Sequence, residues 1–167
     1  MDVKKGDDSI ILRKAVIKDC EQIFKWRNHE STRRYFFNPE PIMWKAHLDW
    51  FEKVLANPSV HLLIGELAGE PVGVLRYDVR GQSAEVSVYV VPVKVGLGLG
   101  ARLLISGKKW VHENISEILM LKAKICWDNK ASLRAFEKAG FRCDVCEFYC
   151  DLIGSGKGHA SYSPKSS

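Results

Sequence analysis

Nothing in this sequence approaches the roughly 18 consecutive apolar residues of a bilayer-spanning helix. The opening Met1-Asp2-Val3-Lys4-Lys5-Gly6-Asp7-Asp8 has no apolar core and does not read as a secretion leader. Lysine and arginine never form a block: 25 basic against 20 acidic residues leave a net charge of +5, spread along the chain. Such a chain is expected in the cytoplasm, with neither a membrane nor a nucleic acid as partner. Its small positive excess suits a polyanionic small molecule.

A disulfide framework and a zinc site are also poorly supplied. The five cysteines (Cys20, Cys126, Cys143, Cys146 and Cys150) are odd in number and read as free thiols. Cys143-Asp144-Val145-Cys146 is a CxxC with Cys150 and His159 beyond it, but a second CxxC is missing. The surrounding segment reads as a strand, which would aim Cys143 and Cys146 at opposite faces, so no metal is expected.

What is present is an ordinary globular composition, 46% hydrophobic and 27% charged over 167 residues, enough for one domain with a full core. Residues 9–15 read as a strand. Asp19 introduces a helical run through Ile23, Phe24 and Trp26. After Asn38-Pro39-Glu40-Pro41 a second helix over about 43–56 carries Trp44, Leu48, Phe51, Val54 and Leu55 on one stripe. Three strands follow at 61–67, 71–79 and 84–91, joined by tight links at 68–70 and 80–82. A helix over about 99–113, a strand over 118–127, a short helix over 129–138 and a last strand or hairpin over 141–153 complete the domain, 1–153. The Gly/Ser-rich remainder, 154–167, is expected to be a disordered tail. The order implies an α/β fold: a mixed, mostly antiparallel central sheet with helices on both faces.

One segment carries chemistry on its face. Val90-Val91-Pro92-Val93-Lys94-Val95-Gly96-Leu97-Gly98-Leu99-Gly100-Ala101 reads as a strand end, a glycine loop and a helix start. Glycines there leave main-chain N–H groups uncovered, and the helix adds unpaired donors and the positive end of its dipole, a receptor for phosphate. A P-loop would need Gly-Lys-Ser/Thr at the end, which is absent. Gly96, Gly98 and Ala101 match the Rossmann spacing, but the preceding hairpin-linked strands suggest an antiparallel meander rather than a βαβ unit. The third reading is the coenzyme A loop of the GNAT N-acetyltransferases, Gln/Arg-x-x-Gly-x-Gly/Ala, which Val95 to Gly100 resembles with Val95 in the Gln/Arg place. The donors being main chain, that departure leaves the cradle intact, and Lys94 is placed to supply charge.

A second motif points the same way. Asn129-Lys130-Ala131-Ser132-Leu133-Arg134-Ala135-Phe136-Glu137-Lys138-Ala139-Gly140-Phe141 resembles the signature of that superfamily's last helix. Trp26-Arg27-Asn28, His47-x-x-Trp50-Phe51 and Ala84-Glu85-Val86-Ser87-Val88-Tyr89 resemble, within the superfamily, the nucleotide-amino-sugar N-acetyltransferases of pseudaminic acid biosynthesis. The resemblance covers residues of about 9–152 and implies the GNAT fold, acetyl-CoA as donor, and the 4-amino group of a UDP-linked amino sugar as acceptor. Other branches act on protein N-termini, polyamines or antibiotics, and a non-catalytic acyl-CoA sensor on the same fold is a further alternative. The oligomeric state is left open, a homodimer included.

Transfer to an amine needs a base, because the amine is cationic at neutral pH. Glu85, on the strand before the loop, is the candidate; its alternative is a solvated strand glutamate. His47 reads as a second base, a sugar ligand or a structural histidine. Arg27 and Asn28 suit a diphosphate or a sugar hydroxyl, Arg27 having the alternative of an ion pair with Glu30 or a strand carboxylate. Arg76 belongs to the same cleft. Coenzyme contacts are expected from Tyr89, Val90, Val91, Lys94, Val95, Gly96, Leu97, Gly98, Leu99, Gly100, Ala101, Asn129, Ser132 and Phe136. Oxyanion donors are expected among the amides of 89–91, where the strand should part from its neighbour. The tyrosine that protonates the thiolate in many family members is here Phe136, leaving water, Ser87, Tyr89 or Ser132 for that task.

Overall fold

The computed structural model describes residues 9–143. Its core is a five-stranded sheet in the order β1 (Ile11–Lys14), β2 (Val60–Leu67), β3 (Glu70–Arg80), β4 (Ser83–Val90) and β5 (Met120–Lys122). The first four strands are antiparallel, and β5 runs parallel to β4. Five helices accompany them: α1 (Cys20–Asn28), α2 (Glu30–Arg33), α3 (Trp44–Ala56), α4 (Leu99–Asn114) and α5 (Lys130–Lys138). The expected mixed sheet with helices on both faces is what forms.

Alternation along the strands divides the core in two. Leu62, Ile64 and Val74 pack with Ile23, Phe51 and Val54 under α1 and α3. Leu63, Leu75, Tyr77 and Val86 turn to the opposite face and meet Leu103, Leu104, Val111 and Phe136 of α4 and α5. Gly73 permits the close seat of α4, since a Cβ there would overlap Leu103. The link between β2 and β3 has Ala68 at φ 51° and Gly69 at φ 82°, the two positive values of a type I′ hairpin. Arg13 ties β1 to its surroundings through Nε to Glu66 (2.6 Å) and a two-pronged bond to Asp19 (2.8 and 2.9 Å). That guanidinium is the main cause holding the Asp19 carboxyl below its usual range.

The strand expected over 118–127 is shorter than the apolar pattern suggests. Only Met120–Lys122 pairs, opposite Ser83–Glu85, and the chain then leaves β4, which continues to Val90 paired with β3 only. The expected strand over 141–153, the tail, and Cys146, Cys150 and His159 lie largely or wholly outside the described residues. Among the described residues no helix is long and apolar enough to cross a membrane.

Candidate active site

The parting of β4 from β5 opens a cavity of about 920 Å³. Glu85, Val86, Ser87 and Val88 form one lip and Lys124, Ile125 and Cys126 the other. The gap runs from the glycine loop and α5 at one end to α1, α2 and α3 at the other. Strand geometry decides which amides face it. Val91 N–H donates to Val72 O at 2.9 Å, so alternation turns the amides of 89 and 87 toward β3 as well. The amides of Val86, Val88 and Val90 point the other way, to the side that β5 has vacated. Of the expected donors at 89–91, Val90 alone faces the gap, because Tyr89 and Val91 have theirs committed to β3. Val88 adds a donor that the sequence reading did not include.

The loop end has the features of a phosphate receptor. Gly96 (φ 90°) and Gly98 (φ 71°) take left-handed backbone, and a Cβ on either would meet nothing within 4 Å. Gly98 is the N-cap of α4 and offers no side chain to its first amides. Val95, Gly96, Gly98, Leu99, Gly100 and Ala101 line the cavity. Leu97 and Lys94 do not: Leu97 is exposed, and Lys94 ends the turn Pro92–Lys94. Positive charge on this part of the wall comes instead from Arg134 and Lys138 of α5. Asn129 caps α5 by accepting from Ser132 N–H at 3.0 Å, and both residues line the gap. Phe136 is buried edge-on against Phe141, 4.9 Å between rings, with no proton to give.

At the other end, Glu85 projects into the cavity with its carboxylate 3.5 Å from Lys124 Nζ. Arg76 lines the wall while bonding Asp78 at 2.7 Å. Arg27 also lines it, with no ion pair among the described residues; its guanidinium lies 3.7 Å from the centre of the Phe36 ring. His47 is 1% exposed and lies at the wall, its Nε2–H donating to Cys20 O at 3.0 Å. Burial, and then the Arg27 charge, push its pKa down, so the ring is neutral at pH 7. Burial likewise raises the Tyr89 and Cys126 pKa values and keeps both protonated. Asn28 does not reach the cavity. Its Nδ2 donates to Ile42 O and its Oδ1 accepts from Ile42 N–H, both at 2.9 Å.

Those bonds pin the segment that supplies Tyr35, Phe36, Phe37 and Ile42 to the wall. Sequence reasoning missed these aromatics, along with Thr32, Trp50, Lys124 and Cys126. The Asn-Pro-Glu-Pro break looked like a connector, and no local periodicity marks a loop that closes over a site.

The profile of the acetyltransferase (GNAT) domain family matches residues 9–142. Acetyltransferase PseH of Campylobacter jejuni is 26% identical over 125 residues, 74% of this chain and 77% of that protein. Its crystal structure superposes with a TM-score of 0.63 at 20% identity, covering 83% of this chain and 91% of that one. Spermidine N-acetyltransferase from Vibrio cholerae in complex with CoA and spermine gives a TM-score of 0.75 at 18% identity, covering 86% and 88%. Aminoglycoside acetyltransferase AAC(6')-Ib in complex with coenzyme A and kanamycin gives 0.70 at 21%, covering 80% and 84%. With a family match over nearly the whole described chain, and a strand gap that opens onto a glycine loop, this chain belongs to the GNAT acetyltransferases.

Proposed function

We propose that the chain transfers the acetyl group of acetyl-CoA to a primary amine borne by an anion. Its preferred acceptor is the 4-amino group of a UDP-linked 4-amino-4,6-dideoxy sugar of pseudaminic acid-type surface-glycan synthesis, in the cytoplasm. The observation that carries this reading is the charge of the cavity. Arg27, Arg76, Lys124, Arg134 and Lys138 line it against a single carboxylate, Glu85. Arg134 and Lys138 stand at the coenzyme end. At the acceptor end Arg76 and Lys124 are paired with Asp78 and Glu85, and Arg27 has no ion pair among the described residues, so that wall suits an anion better than a polycation. The segments Trp26-Arg27-Asn28 and His47-x-x-Trp50-Phe51, which carry the resemblance to nucleotide-amino-sugar acetyltransferases, contribute Arg27, His47 and Trp50 to it. The catalytic domain in this reading spans 1–153, with 154–167 outside it.

Acetyl-CoA supplies an activated thioester. The amides of 96–101 and the first turn of α4 bind its pyrophosphate, with Arg134 and Lys138 beside them. The free amides of Val88 and Val90 hold the pantetheine arm and donate to the carbonyl oxygen as negative charge builds there. Glu85 takes the ammonium proton, directly or through one water, so that the amine nitrogen can bond the acetyl carbon as the carbon–sulfur bond breaks. The tetrahedral nitrogen then gives its second proton to water, and, Phe136 being unable to donate, the departing thiolate takes a proton from the same solvent.

The test is product mass spectrometry after incubation with acetyl-CoA and the UDP-4-amino-4,6-dideoxy sugar, with spermine and kanamycin in parallel. A monoacetylated nucleotide sugar supports the reading. Preferential acetylation of either polycation overturns the acceptor, and coenzyme binding without any product discards this sugar and sends the search to a panel of other amines.

A further inference from the structure

Four buried polar atoms have no hydrogen-bond partner among the described residues: Arg27 Nη1, Thr32 Oγ1, His47 Nδ1 and Tyr89 Oη. All four belong to residues that line the cavity, and they come from four separate elements, α1, α2, α3 and β4. Buried polar groups are rarely left unpaired, so four on a single wall form a corner shaped for something that enters it. The corner is held rigidly. The His47 ring is wedged between Phe24 (5.3 Å), Trp50 (5.4 Å) and Phe51 (5.7 Å), and Phe36 packs on Arg27 and edge-on to Tyr89.

The hydrogen-bonding roles are determined one by one. Because Nε2–H of His47 donates to the Cys20 carbonyl, the neutral ring presents Nδ1 as a bare lone pair that can only accept. Arg27 Nη1 can only donate and brings a positive charge. The hydroxyls of Thr32 and Tyr89 can do either. An alkyl ammonium can donate to His47 Nδ1 and to the two hydroxyls but offers Arg27 Nη1 nothing to donate to. Because the reacting amine sits at Glu85, the corner is left to the acceptor's other groups, and an anionic oxygen beside a hydroxyl satisfies all of it.

We propose that Arg27, Thr32, His47 and Tyr89 form a recognition corner that selects a hydroxyl-bearing, anionic acceptor. In it His47 Nδ1 accepts a hydrogen bond from that acceptor rather than acting as a catalytic base. This rests on the anionic-amine acceptor proposed above and specifies how the site tells a sugar from a bare anionic amine. A site built to pair a substrate hydroxyl rejects the analogue lacking it far more sharply than an apolar pocket does, because its own buried groups are then left unpaired.

The experiment uses the whole protein, labelled with 15N-histidine and saturated with coenzyme A. It is titrated separately with the UDP-4-amino-4,6-dideoxy sugar and with 2-aminoethyl phosphate, an anionic amine without hydroxyls. The sugar is expected to move the His47 Nδ1 resonance upfield, the direction of a lone pair that accepts a hydrogen bond, and 2-aminoethyl phosphate is expected to leave it in place. Thr32→Val and Tyr89→Phe, both close to isosteric, are each expected to weaken sugar affinity by about tenfold while coenzyme A affinity is retained. An Nδ1 resonance unmoved by the sugar, or moved equally by both probes, overturns the corner. Acetylation is scored in parallel samples that hold acetyl-CoA in place of coenzyme A. Product without an Nδ1 shift removes the corner and leaves the sugar as acceptor, whereas an Nδ1 shift without product keeps the corner and removes this sugar as the acetyl acceptor.

Discussion

Asn28 grips Ile42 with both ends of its side-chain amide, donating to the carbonyl and accepting from the N–H at 2.9 Å each way. The last residue of α1 thus holds a loop fourteen residues away in sequence, and with it the aromatic wall at 35–37. Asn28→Leu keeps the volume and removes both bonds. Losing them should cost about 1–3 kcal/mol of loop order, a rise of about tenfold in acceptor KM. Coenzyme A affinity should not move, because the glycine loop is at the other end of the cavity. Steady-state kinetics with varied acceptor, together with coenzyme titration, read both quantities.

Glu85 stands on the lip with Lys124 beside it. Glu85→Gln preserves the shape and abolishes proton acceptance. Turnover is expected to fall by about a hundredfold or more, with coenzyme affinity retained. Much of the loss should be recovered at higher pH, where more of the amine arrives already deprotonated. Unchanged turnover would remove Glu85 from the chemistry.

At Gly98 the constraint is conformational and not spatial: φ is 71°, yet a Cβ would meet nothing within 4 Å. Gly98→Ala should therefore cost about 1–2 kcal/mol of backbone strain, expressed as a lower melting temperature and about tenfold weaker coenzyme A binding. A variant that binds coenzyme A as tightly as the parent would show that the loop amides are not its receptor.

The Arg13–Asp19 pair links stability to pH. The folded-state pKa of Asp19 lies below its unfolded value of about 3.8, chiefly because of the Arg13 hydrogen bonds. A depressed carboxyl stabilises the fold above that unfolded value and loses its contribution as pH falls toward the folded pKa. Asp19→Asn should therefore melt at a lower temperature than the parent at pH 7, and the two curves should converge below about pH 3.8. A difference that persists unchanged into acid would mean that Asp19 acts through packing.

Adjacent residues on α1 show how far the sequence could be followed. Trp26-Arg27-Asn28 reads as one binding motif. Yet successive helical positions point about 100° apart, and Arg27 reaches the cavity while Asn28 is spent on Ile42. Similarly, the apolar pattern over 118–127 promised a long strand, but a strand lasts only as long as its partner runs beside it, and β4 diverges after Glu85. His47 sits on the buried stripe of α3, where histidine is unusual; its tautomer depends on Cys20, twenty-seven residues earlier.

Elements with local signals follow from the residues alone. These are the meander β2–β4 with its two hairpins, the glycine loop opening α4, the Asn129 cap of α5, and from them the family. Each depends on φ/ψ preferences, capping or alternation within a few residues. Where β4 and β5 part, which amides are left free, and which side chains from α1, α2, α3 and β4 line one cavity were set by the packing of the folded chain. Those depend on contacts between segments far apart in the chain, and no local periodicity records them.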